Sequence, residues 1–245
     1  MQYYIGCSGF YYKEWKALFY PEGLPAKDWF KFYCKHFNTI EINSSFYRKP
    51  SLASLQKWYA DSPPDFLFSM KAPRLITHLK RFQIEQEEIN AFYELLAEGL
   101  QEKLATVLFQ LPPSFSYTPE RLDLICSQLD SRWHNVLEFR HASWWQQAVF
   151  DRLQQQQLIF CGQSYPGDLP ETPVINNELI YYRFHGKPVL YKSEYSPEVL
   201  QDTLEAIAAK AERAFIFFNN TWGPAALHNS RQLQELALQR PSGIV

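Results

Sequence analysis

Eight short, strand-like apolar runs punctuate this chain, and stretches with helical spacing separate most of them. That alternation constrains the fold more than any other feature. The runs are Tyr3–Cys7, Thr39–Asn43, Phe66–Lys71, Thr106–Gln110, Val136–Arg140, Leu158–Gly162, Leu179–His185 and Ala214–Asn219. They are rich in β-branched and aromatic residues. Val107-Leu108-Phe109 and Phe215-Ile216-Phe217-Phe218 are apolar throughout, as parallel strands covered on both faces must be.

Between the runs, Ile89, Phe92, Tyr93, Leu95 and Leu96 recur at helical spacing. Thr118-Pro119-Glu120 and Ser196-Pro197-Glu198 each place a capping hydroxyl before proline, with an acid in the first turn. Thr221-Trp222-Gly223-Pro224 leads into a last helix carrying Leu227, Leu233 and Leu236. Strand–helix alternation dictates a parallel sheet with right-handed crossovers, and eight rounds favour closure into a ring. The length, 245 residues, matches the roughly 250 of one such barrel. The expectation is a single α/β domain over residues 1–245: a (β/α)₈ TIM barrel, eight parallel strands ringed by helices. The Pro- and Gly-containing segment Ser164–Asn177 is its longest loop, a surface connection or a lid on the carboxyl face.

Composition narrows the function classes. The net charge is −2 and there is no Lys/Arg block, which argues against a strongly electrostatic nucleic-acid binder. Cys7, Cys34, Cys126 and Cys161 form no C-x-x-C pair and read as buried thiols of a reducing compartment. Met1-Gln2-Tyr3-Tyr4-Ile5 enters a strand directly, without a charged leader and apolar stretch, and no segment is long enough to span a bilayer. The expectation is a cytoplasmic protein with no membrane partner.

In a barrel, polar residues that end the strands point into its mouth. Side chains two apart share a strand face. Glu41 with Asn43, Glu138 with Arg140, and Arg183 with His185 therefore aim inward in pairs, with Ile42, Phe139 and Phe184 facing the helices. Lys71 ends the third strand, Gln110 the fourth and Gln163-Ser164 lies at the sixth. Such charges can form a neutralising layer that merely closes the barrel. Counted together, two carboxylates face one Lys and two Arg. That cationic excess favours a small anionic ligand, bearing phosphate or carboxylate and including sugar-like molecules, gripped by Arg140 and Arg183. The catalytic candidates are Glu41 and Glu138 as acid and base, Lys71 as base or Schiff-base amine, and His185 as proton relay. The ligand-binding candidates are Ser8, Asn43, Tyr47, His78, Arg140, Arg183, Gly186, Asn219 and Asn220. Aromatics near the mouth, Phe10, Tyr11, Trp15, Phe46, Tyr47, Trp144, Trp145 and Trp222, stack on a ligand or pack the loops. No H-x-x-x-H or H-x-H pair occurs, so neither a metal site nor another cofactor is expected.

Several motifs occur together in order. They are Gly6-Cys7-Ser8-Gly9-Phe10, Phe37-Asn38-Thr39-Ile40-Glu41-Ile42-Asn43-Ser44-Ser45-Phe46-Tyr47, and Phe68-Ser69-Met70-Lys71-Ala72-Pro73-Arg74 with Thr77-His78. Leu111-Pro112-Pro113-Ser114-Phe115, Glu138-Phe139-Arg140-His141 with Ser143-Trp144, Tyr182-Arg183-Phe184-His185-Gly186 and Phe218-Asn219-Asn220 follow. In these the chain resembles the YecE-like family, domain of unknown function 72, over nearly its full length. The resemblance implies the barrel and a shared pocket at these strand ends, without a reaction. It departs after strand six, where Gln163-Ser164-Tyr165-Pro166 stands in place of an expected Asp and removes a carboxylate. The function expected is an enzyme of acid–base or hydrolytic chemistry on the anionic ligand. The rivals are a metal-dependent, endonuclease-like nucleic-acid-processing barrel and a non-catalytic ligand-binding barrel.

Overall fold

The structure is a computed structural model that describes residues 1–208 and 212–240. Of the span read as one domain, residues 209–211 and 241–245 lie outside the described residues. Eight parallel strands form one sheet: β1 Gln2–Cys7, β2 Thr39–Ile42, β3 Leu67–Lys71, β4 Leu104–Gln110, β5 Asn135–Glu138, β6 Ile159–Ser164, β7 Leu179–Phe184 and β8 Arg213–Phe218. The helices are α1 Trp29–Tyr33, α2 Ser44–Tyr47, α3 Leu52–Asp61, α4 Gln86–Leu100, α5 Pro119–Gln128, α6 Gln147–Gln155, α7 Pro197–Ala208 and α8 Ala225–Leu238. The fold is a TIM-type barrel, as the alternation predicts. Thr118 caps α5 by accepting from the Arg121 N–H at 3.3 Å, with Pro119 in the first turn. None of the described helices is long and apolar enough to cross a membrane.

Strand parity divides the core in two. Tyr4, Leu108, Val136, Ile159, Cys161, Leu179, Tyr181, Phe215 and Phe217 pack inside the ring. The alternate residues, including Ile42, Phe109, Phe139, Phe184 and Phe218, belong to the larger core that packs between sheet and helices. All four cysteines are buried and unbridged.

The ring has one seam. β1 and β8 pair along their whole length, but β1 meets β2 through one bridge, Ser8 to Glu41. Beside it, the Tyr33 hydroxyl stands between the strands. It accepts from the Cys7 N–H at 2.8 Å and donates to the Thr39 carbonyl at 3.0 Å, replacing ladder bonds. The strands are tight here: a Cβ on Gly6 would lie 2.4 Å from the Thr39 carbonyl oxygen, so only glycine fits.

One crossover departs from strict alternation. No helix joins β6 to β7. Tyr165 turns inward, and the chain then descends the outside of the barrel. The Asn176 side chain accepts from the Phe160 N–H at 3.0 Å and donates to the Leu158 carbonyl at 2.8 Å. Tyr182 donates to the Glu171 carbonyl at 2.6 Å, and Glu171 also takes the Ser164 hydroxyl at 2.7 Å and the Lys187 ammonium.

Candidate functional site

Strand parity delivers Glu41, Glu138, Arg183 and His185 to one buried layer at the carboxyl end of the ring, all with no exposed surface. Arg183 lies between the two carboxylates. Its Nη2 donates to Glu41 Oε1 at 2.6 Å and its Nη1 to Glu138 Oε2 at 2.5 Å. Arg140 Nη2 reaches Glu138 Oε1 at 2.5 Å. Glu41 also accepts the Ser8 hydroxyl on Oε1 and the Tyr181 hydroxyl on Oε2, each at 2.6 Å. A donor chain runs into that tyrosine: Thr106 donates to Ser69 at 2.8 Å, and Ser69 lies 2.6 Å from Tyr181. With Tyr181 donating to Glu41, all three hydroxyls point towards the carboxylate.

Burial works against every charge in this layer, and the pairings decide the outcome. Burial alone would raise Glu138, yet Arg140, Arg183 and His185 hold it well below the usual carboxylate range. Burial alone would disfavour the Arg183 cation, yet Glu138 and Glu41 push it well above its ordinary value. Burial lowers His185 well below the usual histidine range, and Arg140 and Arg183 add to that. His185 is therefore neutral. Asn219 Nδ2 lies 3.0 Å from its Nδ1 and Glu138 Oε1 lies 2.9 Å from its Nε2. Arg140 Nη2 also lies 3.0 Å from Nε2, and the Asn219 amide N–H facing Nδ1 leaves the proton on Nε2, directed at Glu138. Both ring nitrogens are thus occupied by protein, which leaves His185 orienting Glu138 rather than facing a ligand.

The sequence-level charge count changes once the partners are known. Two arginines neutralise two glutamates, which leaves Lys71 as the group of that count without a counter-ion. Arg183 is buried beneath the mouth as the counter-ion of Glu41 and Glu138, not placed to grip a ligand. Arg140 is nearer the surface but covered: its guanidinium lies 3.9 Å from the Tyr165 ring centroid, and its Nε is buried without a partner. Tyr165 also meets the His185 ring edge-on at 5.6 Å.

The β3 side of the mouth is more open. Lys71 Nζ donates to Gln110 Oε1 at 3.0 Å and lies 4.4 Å from the Phe46 ring centroid. Burial, then Arg183, lower it against Glu138 and Glu41, to about 7. After β3, one wide π turn, Leu75–Leu79, presents Thr77 and His78. Such turns often mark functional positions. His78 packs edge-on to Phe46 at 4.9 Å, and its Nδ1 lies 2.9 Å from the Thr77 hydroxyl. Burial lowers it to about 4, helped by Lys71, Arg74, Arg140 and Arg81.

The remaining predicted residues divide by environment. Asn43 Oδ1 is buried without a partner, as is Gln163 Oε1. Tyr47 is 76% exposed, and Trp222 and Tyr11 stand out similarly. Trp15 and Trp144 are fully buried; Trp144 stacks on Phe139 at 4.1 Å. Asn220 is also buried, donating to Ser193 and Asn229, and so holds loops together. Gly186 supplies a positive φ of 86°, and its N–H donates to the Tyr195 hydroxyl at 2.8 Å, so both its features serve the scaffold. Sequence reasoning did not single out Ser69, Thr106, Tyr181, Tyr165, Arg74 or Arg81 for the site. Ser69 and Tyr181 were within reach, lying two residues before Lys71 and Arg183 on the same inward faces.

A concavity of about 1350 Å³ opens at the opposite, amino-terminal face, bordered by Tyr3, His36, Asp65 and Glu205. It holds nothing like the charged layer, and barrels of this kind work at their carboxyl face. Among the described residues, no three His, Cys, Asp or Glu side chains converge as a metal site.

Fold and strand ends together define a TIM-type barrel whose mouth is floored by a buried ion network. The chain belongs to the DUF72 family, described as a protein of unknown function, whose profile matches residues 4–244. It is similar to the UPF0759 protein YunF of Bacillus subtilis, 28% identical over 98% of this chain and 96% of that one. The UPF0759 protein YecE of Escherichia coli is 26% identical over 56% of this chain and 48% of its own. A crystal structure of a DUF72 family protein from Thermotoga maritima superimposes with a TM-score of 0.86 at 25% identity, covering 98% of this chain and 100% of that one. One from Enterococcus faecalis does so at 0.85 and 22% identity, with full coverage of both.

Proposed function

We propose that the protein is an enzyme acting on a small anionic molecule bound on the β3 side of the mouth. The observation that carries this reading is the turn after β3, which brings Arg74, His78 and Arg81 beside Lys71, with the Phe46 ring in contact with both His78 and Lys71. Lys71, Arg74, Arg81 and Arg140 all act on that ring. Among the described residues only Arg140 of these four pairs with a carboxylate. Arg74 and Arg81, without a carboxylate partner near a half-buried imidazole, attract an anion, and a phosphate or carboxylate there would relieve their mutual repulsion. Arg74 and Arg81 then take the anchoring role first given to Arg183. Lys71, whose amine titrates near neutrality, is suited to proton transfer beside the bound group. Glu138 stays ionised and His185 neutral beneath it as a fixed electrostatic floor.

The test is a titration of the His78 ring protons by NMR with and without inorganic phosphate. Phosphate should move the midpoint upward from about 4, because an anion favours the imidazolium. An Arg74→Ala/Arg81→Ala double variant should weaken phosphate binding about tenfold or more. A His78 midpoint that ignores millimolar phosphate would sink the reading.

A further inference from the structure

Among the described residues, two lysine amines are drawn into the protein, and their surroundings differ in kind. Lys103 is 4% exposed, and its Nζ donates to three oxygens, the Tyr59 carbonyl at 2.8 Å and the Ser62 carbonyl and hydroxyl at 2.9 Å each. An ammonium has three protons, so that site is built for the charged form. Each Nζ lies 4.4 Å from an aromatic centroid, Tyr59 for Lys103 and Phe46 for Lys71, but Lys71 has a single oxygen acceptor, the neutral Gln110 amide. Among the described residues no carboxylate lies within ion-pair distance of it. Beyond the Gln110 oxygen and the weakly attractive Phe46 face, one N–H position of an ammonium would go unmatched by protein. A neutral amine, with its lone pair turned to the mouth, fits these surroundings better.

We infer that Lys71 is a nucleophile that forms an imine with the carbonyl carbon of an anionic aldehyde or ketone. This inference rests on the mouth being an anion site, and it names the substrate class. In the step, the Nζ lone pair adds to the carbonyl carbon, and the carbonyl oxygen takes a proton released by the nitrogen. The resulting carbinolamine loses that hydroxyl together with the second nitrogen proton as water, leaving a carbon–nitrogen double bond. One amine and one carbonyl give one imine and one water, with no oxidant or reductant.

Burial favours this step more than the charged groups around Lys71 do. Arg183 and Arg140 discourage protonation, Glu138 and Glu41 oppose them, and burial tips the balance. His78 adds no charge at neutral pH. With a value of about 7, near half of Lys71 is free amine at pH 7. An ordinary lysine near 10.4 has on the order of one part in 10³.

The experiment is a brief exposure of the protein to pyridoxal 5′-phosphate, an anionic aldehyde, followed by borohydride and peptide mapping, repeated from about pH 6 to 9. Lys71 should be labelled at least about tenfold faster than exposed lysines such as Lys49 and Lys80, with a rate that rises through a midpoint near 7. Gln110→Glu should keep Lys71 in place but shift its midpoint upward, because a carboxylate holds the proton. Lys71→Arg should lose the site-specific label while retaining native circular dichroism. Label spread evenly over surface lysines, or a Lys71 midpoint above about 9, would overturn the inference. Pyridoxal without the phosphate separates the two readings. Equal labelling by both aldehydes keeps the imine and removes the anion site. A phosphate response at His78 with no label on Lys71 does the reverse.

Discussion

Replacing Arg183 with methionine tests the account of the mouth directly. In the native protein this guanidinium bridges two fully buried carboxylates. Glu138 would keep Arg140 and His185, whereas Glu41 would keep only the Ser8 and Tyr181 hydroxyls. One buried charge, not two, is thus left without a counter-ion. Breaking a buried pair in this way costs about 3–5 kcal/mol. At roughly 2–4 °C per kcal/mol for a chain of this size, the midpoint of thermal unfolding should fall by about 6–20 °C. The sign with pH follows from Glu138. Its native value is held well below the ordinary one, against burial, by Arg140, Arg183 and His185. The stability it contributes is therefore present above the unfolded value of about 4.3 and is lost as pH falls through the native value. Arg183→Met raises that native value, so the deficit should be full at neutral pH and close on acidification. Calorimetry across that range reads both the size and the sign. Glu41→Gln added to Arg183→Met should recover at least half the loss, since it removes the orphaned charge. A loss below about 1 kcal/mol, a deficit independent of pH, or plain additivity with Glu41→Gln would refute the counter-ion role.

Tyr33→Phe should cost about 1–3 kcal/mol in urea unfolding, because the Cys7 N–H and Thr39 carbonyl lose their shared partner at the seam. Hydrogen exchange at the Cys7 amide should quicken; an unchanged amide would show that the hydroxyl does not hold β1 to β2. Tyr165→Ala should lower stability by about 0.5–2 kcal/mol through loss of its contact with Arg140. It should leave the His78 response to phosphate intact, and an abolished response would show that the anion sits against Tyr165 instead.

Much of this architecture was legible in the sequence because strand parity is a local property. Each of the eight expected runs overlaps a strand, and their boundaries shift by at most two residues at either end, as at Leu104–Gln110 and Ile159–Ser164. The same parity brought Glu41, Glu138, Arg183 and His185 into one layer. Pairing was not legible. Whether Arg183 meets a ligand or two glutamates depends on strands β2, β5 and β7 converging across the ring, which the spacing within one strand does not encode. A charge count therefore credited the ligand with a cation that the protein itself neutralises. Arg74 and Arg81 were passed over for the opposite reason. They lie in the connection after β3, where the π turn rather than strand periodicity sets the direction of each residue.

The connection between β6 and β7 has a consequence for how freely this protein can change. A crossover helix satisfies its own backbone, so its outer residues can vary at little cost. Here extended chain covers the barrel wall, and the polar backbone groups depend on particular side chains: Asn176 for Leu158 and Phe160, Tyr182 for Glu171. Gly162 is confined as well, since a Cβ there would press within 2.7 Å of the Tyr182 ring. In a saturation library the segment should look like a loop in composition and like a core in intolerance. Asn176 should be as restricted as a buried leucine, while exposed positions of α6 on the neighbouring flank accept most replacements.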